Sequence, residues 1–198
     1  MSLKESDIMF LGETWLEKDQ DLGKYELENY SACFVGKGRG KGLACYYKCK
    51  FGITHKIFNK ECCLISAESE KYIVIGTYRF GEGLLRSFVN ILENQLKIEL
   101  KKGKIVIVGG DMNVCARSKP ENILSNMLMK LGFVQKVRSA THVDGGLIDH
   151  VYVYDAVDLN VATSLEHIPK YYSDHDCLGL SIWDGDKIVM ENGYEWVD

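Results

Sequence analysis

The stretch Lys104-Ile105-Val106-Ile107-Val108-Gly109-Gly110-Asp111-Met112-Asn113 decides how this chain is read. Four consecutive apolar β-branched residues predict a short strand buried on both faces. Gly109 and Gly110 then permit close neighbours or unusual backbone angles where the strand ends. Asp111 and Asn113 stand two apart, so extended backbone there aims both side chains to the same side. A carboxylate and an amide delivered together by a buried strand describe a candidate site. An ordinary strand-to-turn exit, where Asp and Asn are frequent, accounts for the same residues. The remaining sequence has to separate the two.

The 198 residues suffice for one sizeable core, and 1–198 is expected to be a single domain. With 46% hydrophobic residues, 26% charged residues and only 2 prolines, disordered and fibrous classes are excluded. The formal net charge of −4 carries no global signature of a nucleic-acid binder. An anionic ligand must therefore meet a local basic patch or a bound cation. Residues 1–7 have no basic segment leading into an apolar one, so no signal peptide is expected. No run approaches the ~18 apolar residues of a membrane span. An intracellular location is expected, with the 7 cysteines as reduced thiols that mostly serve as small core residues. Cys45 and Cys49 find no second pair at zinc spacing.

Taken in order, residues 7–12 predict a strand that ends in Glu13-Thr14-Trp15. Residues 17–29 are polar and read as a loop or short helix. Residues 30–35 and 43–47 predict a hairpin around Gly36-Lys-Gly-Arg-Gly-Lys-Gly42. That loop has neither phosphate-loop nor dinucleotide spacing, and it is either a phosphate-backbone contact or merely solvated. Strands follow at 51–58, 61–67 and 72–78. From 84 to 102 the period changes: Leu85, Phe88, Leu92 and Leu96 recur at helical spacing, and Gly103 is a natural stop. A second helix is expected at about 120–131, opened by a capping box from Ser118 to Glu121. Further strands are expected at 133–138, 147–153, 158–164 and 176–183. The 15 residues after Trp183 are polar and read as a domain exit. The expected class is α+β, two packed sheets with helices outside.

Polar residues gather at the predicted strand ends: Glu13, Tyr78, Asp111 with Asn113, Asp149, and Asp174 with His175. Each has a plain alternative; Glu13, for example, suits the cap of a helix opened by Thr14. Asp149 is different, because an acid inside a strand is rarely buried without a partner. Jointly, several carboxylates, an amide and a histidine make the inventory of a hard-cation site that hydrolyses phosphate esters.

Glu13-Thr14-Trp15, Thr77-Tyr78-Arg79, Gly110-Asp111-Met112-Asn113, Ile148-Asp149-His150-Val151 and Ser173-Asp174-His175 occur in that order. This series resembles the endonuclease/exonuclease/phosphatase superfamily over residues 7–183. It is most similar to the apurinic-type endonuclease domains of non-LTR retrotransposons and related mobile elements, a likeness shared by residues 140–150. The resemblance implies a four-layer α/β/β/α sandwich of two mixed sheets with outer helices. It implies a Mg²⁺-dependent DNA endonuclease that nicks one strand of a duplex, with Mn²⁺ as the alternative cation.

By the same resemblance, Glu13 is the principal metal ligand and Asp174 lies near the metal or a second cation. Asp111 positions or deprotonates the attacking water, and Asn113 holds the scissile phosphate. His175 stabilises that phosphate in the transition state, oriented by Asp149, and Tyr78 contacts it. The implied setting is a monomer with no membrane contact, fused or adjacent to reverse transcriptase or other mobile-element domains, nuclear when acting on DNA. One departure stands out: the family carries an Asn-bearing strand before its Glu motif, whereas the 12 residues before Glu13 contain no Asn. Two other readings stay open. One is a same-fold phosphatase or phosphodiesterase acting on another phosphate ester, and the other is a truncated, inactive DNA-binding remnant.

Overall fold

A computed structural model describes residues 6–17, 20–81, 83–117, 122–154, 161–168 and 173–183. The quoted stretch forms the central strand. Numbering strands along the chain, β7 (Ile105–Asp111) pairs in parallel with β6 (Tyr72–Arg79) and antiparallel with β9 (Asp149–Tyr154). Residues 105–108 are buried, as their unbroken apolar pattern requires. Outward from this core run β5 (Cys62–Glu68) and β4 (Gly52–Phe58) on one side and the two-residue β8 (Val134–Gln135) on the other. The result is a six-stranded mixed sheet ordered β4-β5-β6-β7-β9-β8.

A second layer covers one face of this sheet. It consists of β1 (Ile8–Gly12), β3 (Leu43–Tyr47) and β2 (Ser31–Val35), paired in that order, and of the hairpin-like pair β10 (Ala162–Ile168) and β11 (Cys177–Trp183). Ile8, Phe10, Leu165, Leu178 and Leu180 from this layer meet Ile105, Ile107, Val151 and Val153 of the first. The layers approach closely where β1 crosses β6. A Cβ at Gly76 would lie 1.9 Å from the Phe10 ring, so only glycine admits that ring. This seating carries the segment after β1 to the C-terminal end of β6.

The other face of the six-stranded sheet is covered by α1 (Leu85–Glu99) and α2 (Ile123–Lys130). Phe88, Leu92 and Leu96 of α1 are fully buried, each worth about 2 kcal/mol in removed apolar surface. The helix tightens into a 3-10 turn over Leu100–Lys102 and ends at left-handed Gly103, where a stop was expected. The start of α2 differs from the expected capping box. Asn122 is the N-cap, its side chain accepting from the Ser125 N–H at 2.9 Å, and residues 118–121 lie outside the described set. On the outer side of the second layer, the 3-10 turn Leu22–Tyr25 docks through the Tyr46 hydroxyl, which donates to the Tyr25 carbonyl at 2.8 Å.

The expected α+β sandwich of two packed sheets is therefore the observed architecture. The hairpin over β2 and β3 and the strands near 51–58, 61–67 and 72–78 stand where expected. The expected strand over 133–138 shrinks to two residues, because Gln135 turns its side chain to the Val137 and Val151 N–H groups. The strand expected at 158–164 runs instead over Ala162–Ile168, with residues 155–160 outside the described set. The expected domain exit after Trp183 also lies outside it. Cys45, Cys62 and Cys63 are completely buried, and none of the seven cysteines forms a disulfide. Burial pushes the Cys62 and Cys63 thiols up, to about 12 and about 11, which leaves them inert core residues. No described helix is long and apolar enough to cross a membrane.

Candidate active site

The register of β7 against β9 builds the centre of the site. Asp111 and Asp149 are direct cross-strand partners, so their carboxylates share one face at the strand ends. Two like charges placed opposite each other destabilise a sheet, which makes this pairing costly unless it serves a purpose. Gly110, with φ +135°, brings the chain here: a Cβ would lie 1.9 Å from the Thr77 carbonyl oxygen of β6.

Asn113 does not reach the site along extended backbone, as its spacing from Asp111 suggested. β7 ends at Asp111, and Asn113 sits at φ 49°, turned back upon it. Its backbone N–H donates to Asp111 Oδ1 at 2.8 Å, while its amide donates to Asp111 Oδ2 at 3.3 Å and to the Arg79 carbonyl at 2.7 Å. Both Asp111 oxygens are thereby fixed. Arg79 braces the same turn from β6: it is buried, with Nε donating to the Met112 carbonyl at 2.6 Å and Nη2 to the Asn113 carbonyl at 2.6 Å.

His175 arrives from the segment before β11 and binds Asp149 Oδ2 through Nδ1 at 2.8 Å. Asp149 is held in turn by Thr141, whose buried Oγ1 accepts the Ile148 and Asp149 N–H groups at 3.2 and 3.1 Å. An isolated antiparallel bridge joins His142 to His175, and their rings meet edge to face at 4.9 Å. Asp174, expected near a cation, lies 3.5 Å from His142 Nε2. Among the described residues, two groups have ligand atoms mutually within 4.8 Å: Asp111, Asp149 and His175; and His142, Asp174 and His175.

Glu13 is supplied by the segment after β1; it belongs to neither of these groups, but its charge acts on Asp111. No described helix follows it, so it is not a cap; it lies at φ 50°, a strained angle for a glutamate. Its Oε1 accepts from the Tyr78 hydroxyl at 2.5 Å and its Oε2 from Trp15 Nε1 at 3.3 Å. Tyr78 is buried, and burial together with Glu13 raises its phenol far above the ordinary value, so it remains a donor.

The electrostatics separate the two central groups. Asp111 is pushed up to about 6, chiefly by burial and further by the charges of Asp149 and Glu13. His175 is raised to about 9, chiefly by its hydrogen bond to Asp149. At neutral pH the site therefore holds an imidazolium beside a carboxylate able to take a proton. Oxygen donors dominate the set, and the mutual repulsion at Asp111 is what a hard divalent cation relieves; the residues fit such an ion.

Sequence reasoning named Glu13, Tyr78, Asp111, Asn113, Asp149, Asp174 and His175, and all seven lie along this edge of the two sheets. Three supporting residues were missed in their roles: Thr141, His142 and Arg79. Arg79 belongs to the Thr77-Tyr78-Arg79 motif, and Thr141 and His142 to the 140–150 stretch, but only the fold reveals which groups they tie.

Comparison with known proteins bears on the fold and the family. No curated protein sequence matches the chain significantly. Among solved structures, a 3′ phosphatase from Neisseria bound to product DNA hairpin is similar at TM-score 0.70 and 15% identity, covering 88% of each chain. An AP endonuclease from Archaeoglobus fulgidus has TM-score 0.66 and 17% identity, over 90% of this chain and 89% of that one. The endonuclease domain of TRAS1, a telomere-specific non-LTR retrotransposon, has TM-score 0.61 and 12% identity, over 89% and 85%. At these identities the likeness shows the fold. Residues 2–175 match the model of the Endonuclease/Exonuclease/phosphatase family, and the chain belongs to that family.

Proposed function

We propose that this chain is a divalent-metal-dependent endonuclease that hydrolyses phosphodiester bonds in DNA, nicking one strand of a duplex. The observation that carries the reading is the Asp149–His175 pair closed upon Asp111 at the sheet edge, with Glu13 and Tyr78 facing it. His175 is charged at neutral pH and gives a proton or hydrogen bond to the phosphate as negative charge builds on it. Asp149, locked by Thr141, fixes the ring's tautomer and direction. Asp111 takes the proton of the attacking water, its two oxygens aimed by Asn113.

Glu13 is the proposed principal metal ligand, and Asp174 the neighbour of that ion or of a second one. When bound, Mg²⁺ or Mn²⁺ supplies charge neutralisation at the phosphate and stabilises the leaving oxygen. Tyr78 holds Glu13 in place through its single hydroxyl proton, which turns to the phosphate once Glu13 engages the metal, while Asn113 contributes an amide proton on releasing the Arg79 carbonyl. The likeness of residues 140–150 is what supports the mobile-element branch; the TRAS1 domain is one of several structures that share the fold. Turnover of supercoiled plasmid, RNA and a small phosphomonoester, compared in Mg²⁺, tests the substrate. The reading expects plasmid to be preferred; preference for the monoester or for RNA would replace it with the corresponding same-fold activity.

A further inference from the structure

The glycine-rich loop and the exposed Trp15 are not used by the hydrolytic groups, yet the fold brings them together against Glu13. Trp15 N–H donates to the Lys41 carbonyl at 3.0 Å, and Gly38 N–H to the Leu16 carbonyl at 2.8 Å. The loop is therefore seated on the turn that carries Glu13. Its alternation now has a reason. Gly36, Gly38, Gly40 and Gly42 all have positive φ, which favours glycine at every second position; a Cβ at Gly42 would also lie 2.1 Å from Thr14 Oγ1 and one at Gly36 2.7 Å from Cys63 Sγ, whereas Gly38 and Gly40 border open space. Lys37, Arg39 and Lys41 alternate with them and are exposed. The Gly40 carbonyl lies 3.1 Å from the Tyr78 hydroxyl, which ties this cationic rim to the catalytic edge.

Trp15 is the aromatic member of that rim. It is 49% exposed, although a ring of that size ordinarily gains by burial. Its backbone is held at φ 52°, its indole N–H is engaged by Glu13 at 3.3 Å, and the Arg39 guanidinium lies 5.5 Å from the ring centroid. A strained, anchored and exposed indole beside a proposed metal ligand, flanked by cations, has the composition of a stacking surface for a nucleic-acid strand.

We propose that Trp15 receives one unstacked nucleobase of the substrate strand next to the scissile phosphate, while Arg39 and Lys41 meet the adjoining phosphates. This rests on the nucleic-acid reading above and names the part of the strand that the site positions. Arg39 backs the indole, and Glu13 sets its orientation, so base placement and metal placement share one turn. A small phosphate ester has nothing to place there.

The test is a binding cycle with the full chain in an Asp111→Asn background, read by fluorescence anisotropy. The ligands are a duplex with a short single-stranded gap and its twin with base-free spacers across the gap. Loss of the bases should weaken binding to the Trp15 protein roughly tenfold and to Trp15→Ala less than about twofold. Trp15→Phe should keep most of the discrimination. Equal discrimination by Trp15→Ala and its parent, or none by the parent, overturns the platform and leaves the nuclease reading standing. Binding of neither duplex by the parent overturns both.

Discussion

Replacing Asp149 with Asn should move the proton of His175. The carboxylate's hydrogen bond at 2.8 Å is the largest cause that raises His175 to about 9. An amide keeps an acceptor for the Nδ1–H but removes the charge, so the imidazole should fall back towards its ordinary value of about 6.5. A rise from 6.5 to about 9 corresponds to about 3 kcal/mol of preference for the charged form. The side chains are 26% and 14% exposed, and solvent screening reduces the expected stability contribution to about 1–2 kcal/mol. The sign follows from the direction. A histidine whose folded value is raised adds stability in full below the unfolded value and loses it as pH rises through the folded one. Wild type should thus exceed Asp149→Asn by about 1–2 kcal/mol near pH 6 and by almost nothing near pH 10. NMR titration of the His175 ring in EDTA reads the proton directly, and urea denaturation at the two pH values reads the stability. A His175 titration left unmoved by Asp149→Asn would refute the reasoning, as would a stability gap that widens with pH.

Asp111→Asn should stabilise the folded protein by about 1–2 kcal/mol at pH 8, because it removes a buried carboxylate held up at about 6, while abolishing turnover; urea midpoints and a plasmid assay check the two halves. Thr141→Val should cost about 1–3 kcal/mol by leaving the Ile148 and Asp149 N–H groups without their acceptor, and chevron-quality urea curves will show it. Gly110→Ala should cost more than about 3 kcal/mol, since its Cβ meets the Thr77 carbonyl at a backbone angle unsuited to alanine; loss of the cooperative thermal transition is the readout.

Much of this fold is written locally. The four apolar residues of β7 allow little besides a buried strand, and the spacing of Phe88, Leu92 and Leu96 allows little besides an amphipathic helix. Element ends were less legible, because tertiary partners set them. The N–H of Leu84, the N-cap of α1, is satisfied by Glu61 from the loop before β5, a contact between residues 23 apart that no local pattern encodes. The same distinction divides the site. Glu13, Asp111, Asp149 and His175 announce themselves as acids and a histidine at strand ends. The register that sets Asp111 opposite Asp149 and the Thr141 brace beneath Asp149 are products of folding. The left-handed turn at Asn113 contradicted the simplest reading of two residues on one extended side, since Gly110 and Arg79 force the chain to fold back there.

Conversion of supercoiled plasmid to nicked circles by the purified chain tests the central claim most directly. Nicking should require Mg²⁺ or Mn²⁺, stop in EDTA, and fall at least about 100-fold in both Asp111→Asn and His175→Ala. A folded chain that nicks at the same rate in EDTA, or an Asp111→Asn protein that nicks as fast as the parent, would contradict it.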